Sequence, residues 1–235
     1  RHDIIRILGA WFGSLFGKEG KDFKSRMGAH NPDTQMGWFI ILGTMPILIA
    51  GLLFKHAIEG SLRNLWITVT VLALFGVLLW VVDARSKQVK TMKEMTWKDA
   101  LIFGIGQMLA LIPGVSRSGG TITFGRAMGY TREAAVRVSF LMAIPAVFGA
   151  GILEAVSAVK DVAAGDAGMF PGWGPTIAAA IVAFVVGYVV IIGFLKFVST
   201  FSYKAFAIYR IGLAIVVALL LITGVLSPLE AAAAA

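Results

Sequence analysis

The stretch PGVSRSGGT, residues 113–121, interrupts a region that is otherwise typical of a membrane protein. An apolar run from Ala100 leads into it, and a short apolar stretch beginning at Ile122 follows. Irregular backbone at membrane depth is tolerated only where protein or trapped water satisfies its polar groups. An arginine at that depth indicates a functional site, and arginine with glycine amides and hydroxyls is suited to holding a phosphate. The stretch therefore predicts a broken helix with a functional site at the break.

The composition of the whole chain indicates an integral membrane protein of several helices. Of 235 residues, 58% are hydrophobic and 14% are charged, and the mean hydropathy is +0.84. Soluble domains contain about 25% charged residues. The net charge of +8 comes from basic residues in loops between apolar segments, where the positive-inside rule explains them, so we exclude nucleic acid as a partner. The absence of cysteine excludes disulfides, thiolate metal sites and cysteine nucleophiles.

Five apolar segments approach the roughly 20 residues that cross a bilayer. They are 38–54, 65–82, 138–153, 175–195 and 205–226. Two shorter segments, 100–112 and 121–128, flank the break, which is typical of a re-entrant hairpin or discontinuous helix. The predicted fold class is an all-α integral membrane protein, a polytopic helix bundle with five full spans and one re-entrant hairpin.

The distribution of charge predicts which side each loop occupies. Segment 1–36 carries six Lys and Arg residues and segment 83–98 carries five, which places both on the cytoplasmic side. The weakly acidic loop 154–173 then lies outside. This assignment is consistent only if 100–130 enters and leaves on the same face. The stretch 4–16 has its apolar residues on one helical side, which suits a helix lying at the membrane interface.

Four stretches resemble the undecaprenyl-diphosphate phosphatase family, the bacitracin-resistance type of membrane phosphatase. They are MGWFIILGTMPILIAGLLF (36–54), GIGQMLALIPGVSRSGGTIT (104–123), TREAAVRVSFLMAIPAVFGAG (131–151) and FAIYR (206–210). The resemblance implies an enzyme that hydrolyses undecaprenyl diphosphate to undecaprenyl phosphate and inorganic phosphate, recycling the carrier lipid for peptidoglycan synthesis in the bacterial inner membrane. The implied partners are this lipid and the bilayer, and a homodimer is compatible with it.

The resemblance also implies an inverted-topology repeat within a single membrane domain, 1–228. Residues 1–98 would be the remainder of the first repeat and 99–228 the second, with its hairpin at 100–128. The family's first re-entrant segment, with paired glutamates and a histidine-containing loop, has no counterpart in this sequence. The implied divalent cation, Mg²⁺ or Ca²⁺, would be held partly by those carboxylates, so no metal ligand is assigned here. We expect residues 229–235, Leu-Glu and five alanines, to be a vector-derived tail.

Three residues at the break are the predicted catalytic residues: Arg117, Ser116 and Ser118. Arg117 offers five donors in a planar fork and stays charged, which suits the spreading charge of phosphoryl transfer. The alternative is a structural arginine that caps helix carbonyls or pairs with a buried carboxylate. Either serine would be a nucleophile or, with no base in view, a hydrogen-bonding group. All three histidines, His2, His30 and His56, are assigned to positions in or beside polar loops.

Five further residues are predicted to bind phosphate: Gly114, Gly119, Gly120, Thr121 and Gln107. Thr121 is expected to start the second half-helix, either as an N-cap or as a phosphate ligand. The three glycines would let the backbone approach a ligand or let helices pack closely, and Gly104 and Gly106 are expected to be packing residues. Gln107 would orient substrate or water, or form an interhelical hydrogen bond.

Arginines outside the break are less specific. Arg126 and Arg132 are explained by positive-inside anchoring, whereas Arg137 and Arg210 either reach inward or snorkel. None of these is a predicted catalytic residue. A transporter or flippase for polyprenyl phosphate or another anion is the alternative function, because inverted repeats and broken helices are also transporter architecture.

Overall fold

The computed structural model describes residues 2–18, 20, 22–164 and 171–229. This part of the chain forms α-helices without a strand, apart from one isolated bridge between Lys90 and Tyr130. In chain order the helices are α1 (His2–Leu15), α2 (Phe23–Arg26), α3 (Pro32–Leu53), α4 (Lys55–Glu59), α5 (Leu65–Arg85), α6 (Trp97–Met108), α7 (Arg117–Ala127), α8 (Arg132–Ala163), α9 (Trp173–Thr200) and α10 (Lys204–Ile222). The predicted tail lies outside the described residues from residue 230 onward.

Five of these helices, α3, α5, α8, α9 and α10, are long and apolar enough to cross a membrane. The predicted five spans are thus confirmed, and so is the all-α fold class. α8 is longer than expected and runs ten residues past the predicted end at 153, into the segment assigned to an outer loop. Residues 165–170 of that loop lie outside the described part of the chain.

The helices α6 and α7 form the predicted broken hairpin. With 12 and 11 residues, each is roughly 16–18 Å long, too short to cross a bilayer of about 30 Å. The two outer ends of the hairpin lie side by side: Val89 and Lys90 donate backbone hydrogen bonds to the Gly129 carbonyl, and Thr131 donates to the Lys90 carbonyl. The chain therefore enters and leaves the hairpin at the same end of the bundle, as the charge distribution requires.

Small residues hold the hairpin close to its neighbours. A Cβ on Gly104 would collide with the backbone of Gly43 in α3, and a Cβ on Gly106 would lie 2.9 Å from the Gly120 carbonyl of α7. Close backbone approach of this kind is the usual way in which membrane helices associate. The prediction that Gly104 and Gly106 are packing residues is confirmed.

A buried charge cluster ties the outer end of the hairpin to α5 and α8. Asp83, 3% exposed, accepts from Arg126 Nε at 2.8 Å and from Arg132 Nε at 3.0 Å. It also accepts from the Tyr203 N–H just before α10. Arg126 is fully buried and donates as well to the carbonyls of Asp83 and Tyr130. Positive-inside anchoring is therefore the wrong interpretation of Arg126, which is buried and pairs with a carboxylate of α5, 43 residues away in sequence.

The amphipathic helix predicted over 4–16 is confirmed as α1, which packs on the start of α3. Trp11 lies edge-on to Trp38 with ring centroids 5.6 Å apart, and Arg6 pairs with Asp33 at 2.8 Å. The helix α9, by contrast, has no buried residue in its apolar membrane-spanning part. A helix that is apolar and exposed all round suits contact with lipid, which leaves α3, α5, α8 and α10 to surround the break in the hairpin.

Candidate functional site

The break in the hairpin ends at Ser116, which is the N-cap of α7. Its hydroxyl accepts from the Gly119 N–H at 3.3 Å, and its carbonyl accepts from the Gly120 N–H at 2.8 Å. Ser116 has φ +69° and ψ 126°, a region that costs a non-glycine residue on the order of 1–3 kcal/mol and is typical of functional sites. The helix it caps begins at Arg117.

Because α7 begins at Arg117, one of the two predictions for Thr121 is wrong. The second half-helix begins four residues earlier than expected, so Thr121 is inside α7 and the N-cap interpretation is wrong. Its side chain is fully buried, and its hydroxyl donates to the Arg117 carbonyl at 2.7 Å. A role for Thr121 as a phosphate ligand is untested and would require that hydrogen bond to be exchanged.

A cavity of about 290 Å³ opens beside the N-terminus of α7. Six residues line it: Ser116, Arg117, Ser118, Ser139, Phe140 and Ala143. The structure thus places all three predicted catalytic residues on one cavity, with the Oγ atoms of Ser116 and Ser118 3.5 Å apart. The three residues from α8 were not predicted. The available signal was Ser139, which is the sole hydroxyl residue in the apolar segment 138–153.

Arg117 has no ion-pair or hydrogen-bond partner for its side chain among the described residues, and the side chain is exposed at the cavity. The structural alternative, an arginine that caps carbonyls or pairs with a carboxylate, is therefore not what this part of the chain shows. It does describe two buried arginines, since Arg126 pairs with Asp83 and Arg210 donates to backbone carbonyls. A guanidinium left with all its donors free at a cavity is suited to binding an anion.

Backbone amides add to the positive character of the cavity. The N–H groups of Ser116, Arg117 and Ser118 have no acceptor in the described ranges, and they belong to the first turn of α7. Unpaired amides at a helix N-terminus carry partial positive charge and favour an anion. The Arg117 side chain and these three backbone amides therefore both favour the binding of an anion.

The glycines of the break divide into two kinds. Gly114 has φ +99°, and a Cβ there would meet the Thr68 carbonyl of α5, so this position requires glycine both for its dihedral and for space. Gly119 and Gly120 are helical and buried, so they belong to α7 and not to a break that continues to the expected helix start at Thr121. Their N–H groups are bound by Ser116, and a Cβ on Gly120 would collide with the Gly106 carbonyl. Contact of either one with phosphate stays a prediction.

Gln107 of α6 is fully buried, and neither its Oε1 nor its Nε2 has a hydrogen-bond partner in the described part of the protein. It does not line the cavity beside Arg117. Because both amide atoms are unpaired, Gln107 does not form an interhelical hydrogen bond with these residues. An unpaired buried amide costs about 1–3 kcal/mol. Orientation of substrate or water remains the prediction for Gln107.

The cavity does not offer a site for a divalent cation. Mg²⁺ and Ca²⁺ prefer carboxylate, carbonyl and water oxygens, whereas the lining side chains are hydroxyls, apolar groups and a guanidinium. No group of three or more His, Cys, Asp or Glu residues capable of holding a metal occurs in the described ranges. His2, His30 and His56 are all exposed and do not line the cavity.

A larger cavity of about 450 Å³ lies elsewhere, between α3 and the start of α6, and is lined mainly by apolar and aromatic side chains such as Trp38, Phe39 and Trp97. It contains no charged group. The smaller cavity has the free guanidinium, hydroxyls and amides, so its chemistry makes it the candidate site.

The chain as a whole is similar to known proteins. A family model described as "Bacitracin resistance protein BacA" matches residues 1–216. A protein named undecaprenyl-diphosphatase from Bifidobacterium adolescentis is 91% identical over 235 residues, which cover 100% of this chain and 80% of that protein. Proteins of the same name from Bifidobacterium animalis subsp. lactis and Bifidobacterium longum subsp. infantis are 75% and 68% identical, over 98% and 100% of this chain and 77% and 79% of their own lengths.

Proposed function

Because the chain belongs to the bacitracin resistance protein BacA family, we propose that it hydrolyses undecaprenyl diphosphate to undecaprenyl phosphate and inorganic phosphate. The chain is a multi-pass membrane phosphatase, and its relatives at 91% and 68% identity carry the name undecaprenyl-diphosphatase. The observation that carries the proposal at the level of this chain is the unpaired Arg117 guanidinium at a hydroxyl-lined cavity within an apolar helix bundle.

The diphosphate headgroup would lie in the cavity and the polyprenyl tail among apolar helix faces. Arg117 would donate in bidentate fashion to the terminal phosphoryl oxygens, because its fork matches their geometry. The free amides at the start of α7 would hold the same headgroup. Ser116, Ser118 and Ser139 would add hydroxyl donors, so that Phe140 and Ala143 are left as the apolar wall.

Hydrolysis requires attack on the terminal phosphorus while charge spreads over its equatorial oxygens. The fixed positive groups around Arg117 would stabilise that charge without reorganising at the moment of reaction. Water or a serine hydroxyl would be the attacking group. The general base is not among the side chains that line the cavity, because none of them is a carboxylate or an imidazole.

Further assignments rest on the family resemblance. We propose on these grounds that the enzyme lies in the bacterial inner membrane, where it would recycle the carrier lipid for peptidoglycan synthesis and contribute to bacitracin resistance. A divalent cation, with ligands beyond the six cavity residues, belongs to the same set of expectations. A homodimer and the division into repeats at 98/99 are proposals of the same kind.

The direct test of the proposal is release of inorganic phosphate from undecaprenyl diphosphate, and from the shorter farnesyl diphosphate, by the complete protein purified in detergent micelles. We expect one phosphate per lipid, with the lipid monophosphate as the second product. Absence of release above background, together with movement of the headgroup across sealed vesicles, would replace the phosphatase with the alternative transporter.

Ser139→Ala tests whether the cavity holds the headgroup. Ser139 is almost fully buried and lines the cavity, and its hydroxyl has no partner among the described residues. A hydrogen bond to a charged group contributes about 1.5–3 kcal/mol, so we expect kcat/KM to fall roughly 10–100-fold. Ser157→Ala, on an exposed position of the same helix, is the matched control. Equal activities of the two variants would remove Ser139 from the site.

Gln107→Leu separates a structural role of this residue from a functional one. Because its amide atoms lack partners in the described ranges, an apolar side chain of similar size should leave the melting temperature unchanged or raise it. We expect kcat/KM to fall about tenfold, the effect of one lost hydrogen bond. Gln35→Leu, exposed in α3, is the control. A lower melting temperature with full activity would instead assign Gln107 to helix packing.

A further inference from the structure

Arg210, in the second turn of α10, lies against the break in the hairpin although it is 95 residues from it in sequence. It is 3% exposed. Its Nη1 donates to the Val115 carbonyl at 2.9 Å, and its Nη2 donates to the Gly114 carbonyl. Its Nε has no partner, and no carboxylate pairs with it, in the described part of the chain. A buried cation is costly unless it is hydrogen-bonded, so two consecutive backbone carbonyls are its compensation.

These two hydrogen bonds fix the direction of the peptide units before Ser116. The chain has no cis peptide bond in the described residues, and in a trans peptide the N–H points opposite to the C=O. Holding the Val115 carbonyl toward Arg210 therefore turns the Ser116 N–H away from α10. That N–H is one of the three unpaired amides at the cavity.

Neighbouring glycines make room for the guanidinium. A Cβ on Gly119 would lie 2.7 Å from Arg210 Nη1, and a Cβ on Gly76 of α5 would lie 3.4 Å from the Arg210 Cβ. The arginine thus contacts the strained turn from one side and the first turn of α7 from another. Its position is set by α5 and α10, which pack closely along each other, and both are full spans.

We infer that Arg210 is a positioning residue for the phosphatase site: it holds the Gly114 and Val115 carbonyls and thereby keeps Ser116 and Arg117 directed at the diphosphate. The inference rests on the proposed function, which it deepens. Arg210 does not line the cavity and acts through the backbone of the break. The positive φ of Ser116 is the conformation that this contact maintains against strain.

The first test is the activity of Arg210 variants on farnesyl diphosphate in detergent. Arg210→Met removes both donors, and we expect kcat/KM to fall about 100-fold, as for a misplacement of about 1 Å in a reacting group. Arg210→Lys keeps one donor group and should recover activity to within about tenfold of the parent protein. Lys204→Met, on an exposed position in the first turn of α10, is the control and should stay within about twofold.

The second test follows the break itself and does not depend on activity. The 235 residues contain no cysteine, so Ser118→Cys introduces a single reporter thiol at the cavity and Thr123→Cys a buried reporter in α7. Each is combined with Arg210→Met, and the rate of alkylation by a charged thiol reagent is measured. We expect the rate at position 118 to change by about tenfold or more and the rate at position 123 to stay the same, as local opening requires.

The two measurements separate the possible failures. An unchanged alkylation rate at position 118 overturns the inference, whatever the activity. Equal acceleration at both positions also overturns it, because Arg210 would then stabilise the whole bundle. If the parent protein releases no phosphate but alkylation at position 118 responds to Arg210→Met alone, the proposed function fails while the positioning of the break by Arg210 stands.

Discussion

Arg117→Ala is expected to lower kcat for polyprenyl diphosphate hydrolysis on the order of 10³-fold, the effect of removing an arginine that stabilises a phosphoryl-transfer transition state. The protein should fold and purify normally, because the Arg117 side chain has no partner among the described residues that its loss would orphan. The measurement is phosphate release in detergent micelles, with the melting temperature taken on the same preparation.

Arg117→Lys refines this result. A point charge cannot reproduce the bidentate fork, so we expect roughly 10–100-fold less activity than in the parent protein, corresponding to one lost charge-assisted hydrogen bond. Arg85→Ala removes an exposed guanidinium at the end of α5 and serves as the control for a simple change in net charge. Near-parental kcat in Arg117→Ala would take the break out of the mechanism.

Asp83→Ala is expected to have the largest effect on stability. It removes the carboxylate that pairs with the fully buried Arg126 and with Arg132, and it also removes the acceptor of the Tyr203 N–H. Breaking a buried pair from one side costs about 3–5 kcal/mol, because an uncompensated charge remains. For a chain of this size, that corresponds to a melting temperature lower by roughly 6–20 °C.

Two companion variants give this prediction its control. Asp161→Asn, at an exposed position near the end of α8, should leave the melting temperature unchanged. Adding Arg126→Leu to Asp83→Ala should recover part of the loss, since the buried charge is then removed together with its partner. A melting temperature in Asp83→Ala equal to that in Asp161→Asn would show that the cluster does not hold the hairpin to α5.

The helix content and the broken hairpin were predictable because both depend on local composition. Uncharged segments of about 20 residues specify spans, and Pro113-Gly114 specifies a break. The start of α7 was not predictable in the same way. Two adjacent glycines disfavour a helix by about 1 kcal/mol each, yet both lie in α7. Glycine is required at position 120 because the backbone of Gly106 lies where a side chain would be.

The site was predictable where its residues are contiguous and not where they come together from distant helices. Ser116, Arg117 and Ser118 are adjacent in sequence and line one cavity. Ser139 reaches the cavity from α8, and Arg210 contacts the break from α10. The pairing of Arg126 with Asp83 spans 43 residues. Spacing carries no information on such contacts, because they are set by which helices pack together.

We propose that the free guanidinium of Arg117 binds the diphosphate headgroup. Binding can be measured as the affinity of the protein for a non-hydrolysable farnesyl methylene-diphosphonate, by isothermal titration calorimetry in detergent micelles. We expect Arg117→Lys to bind it roughly 10–100-fold more weakly than the parent protein, with Arg85→Ala unchanged. Equal dissociation constants for the parent protein and Arg117→Lys would contradict the claim.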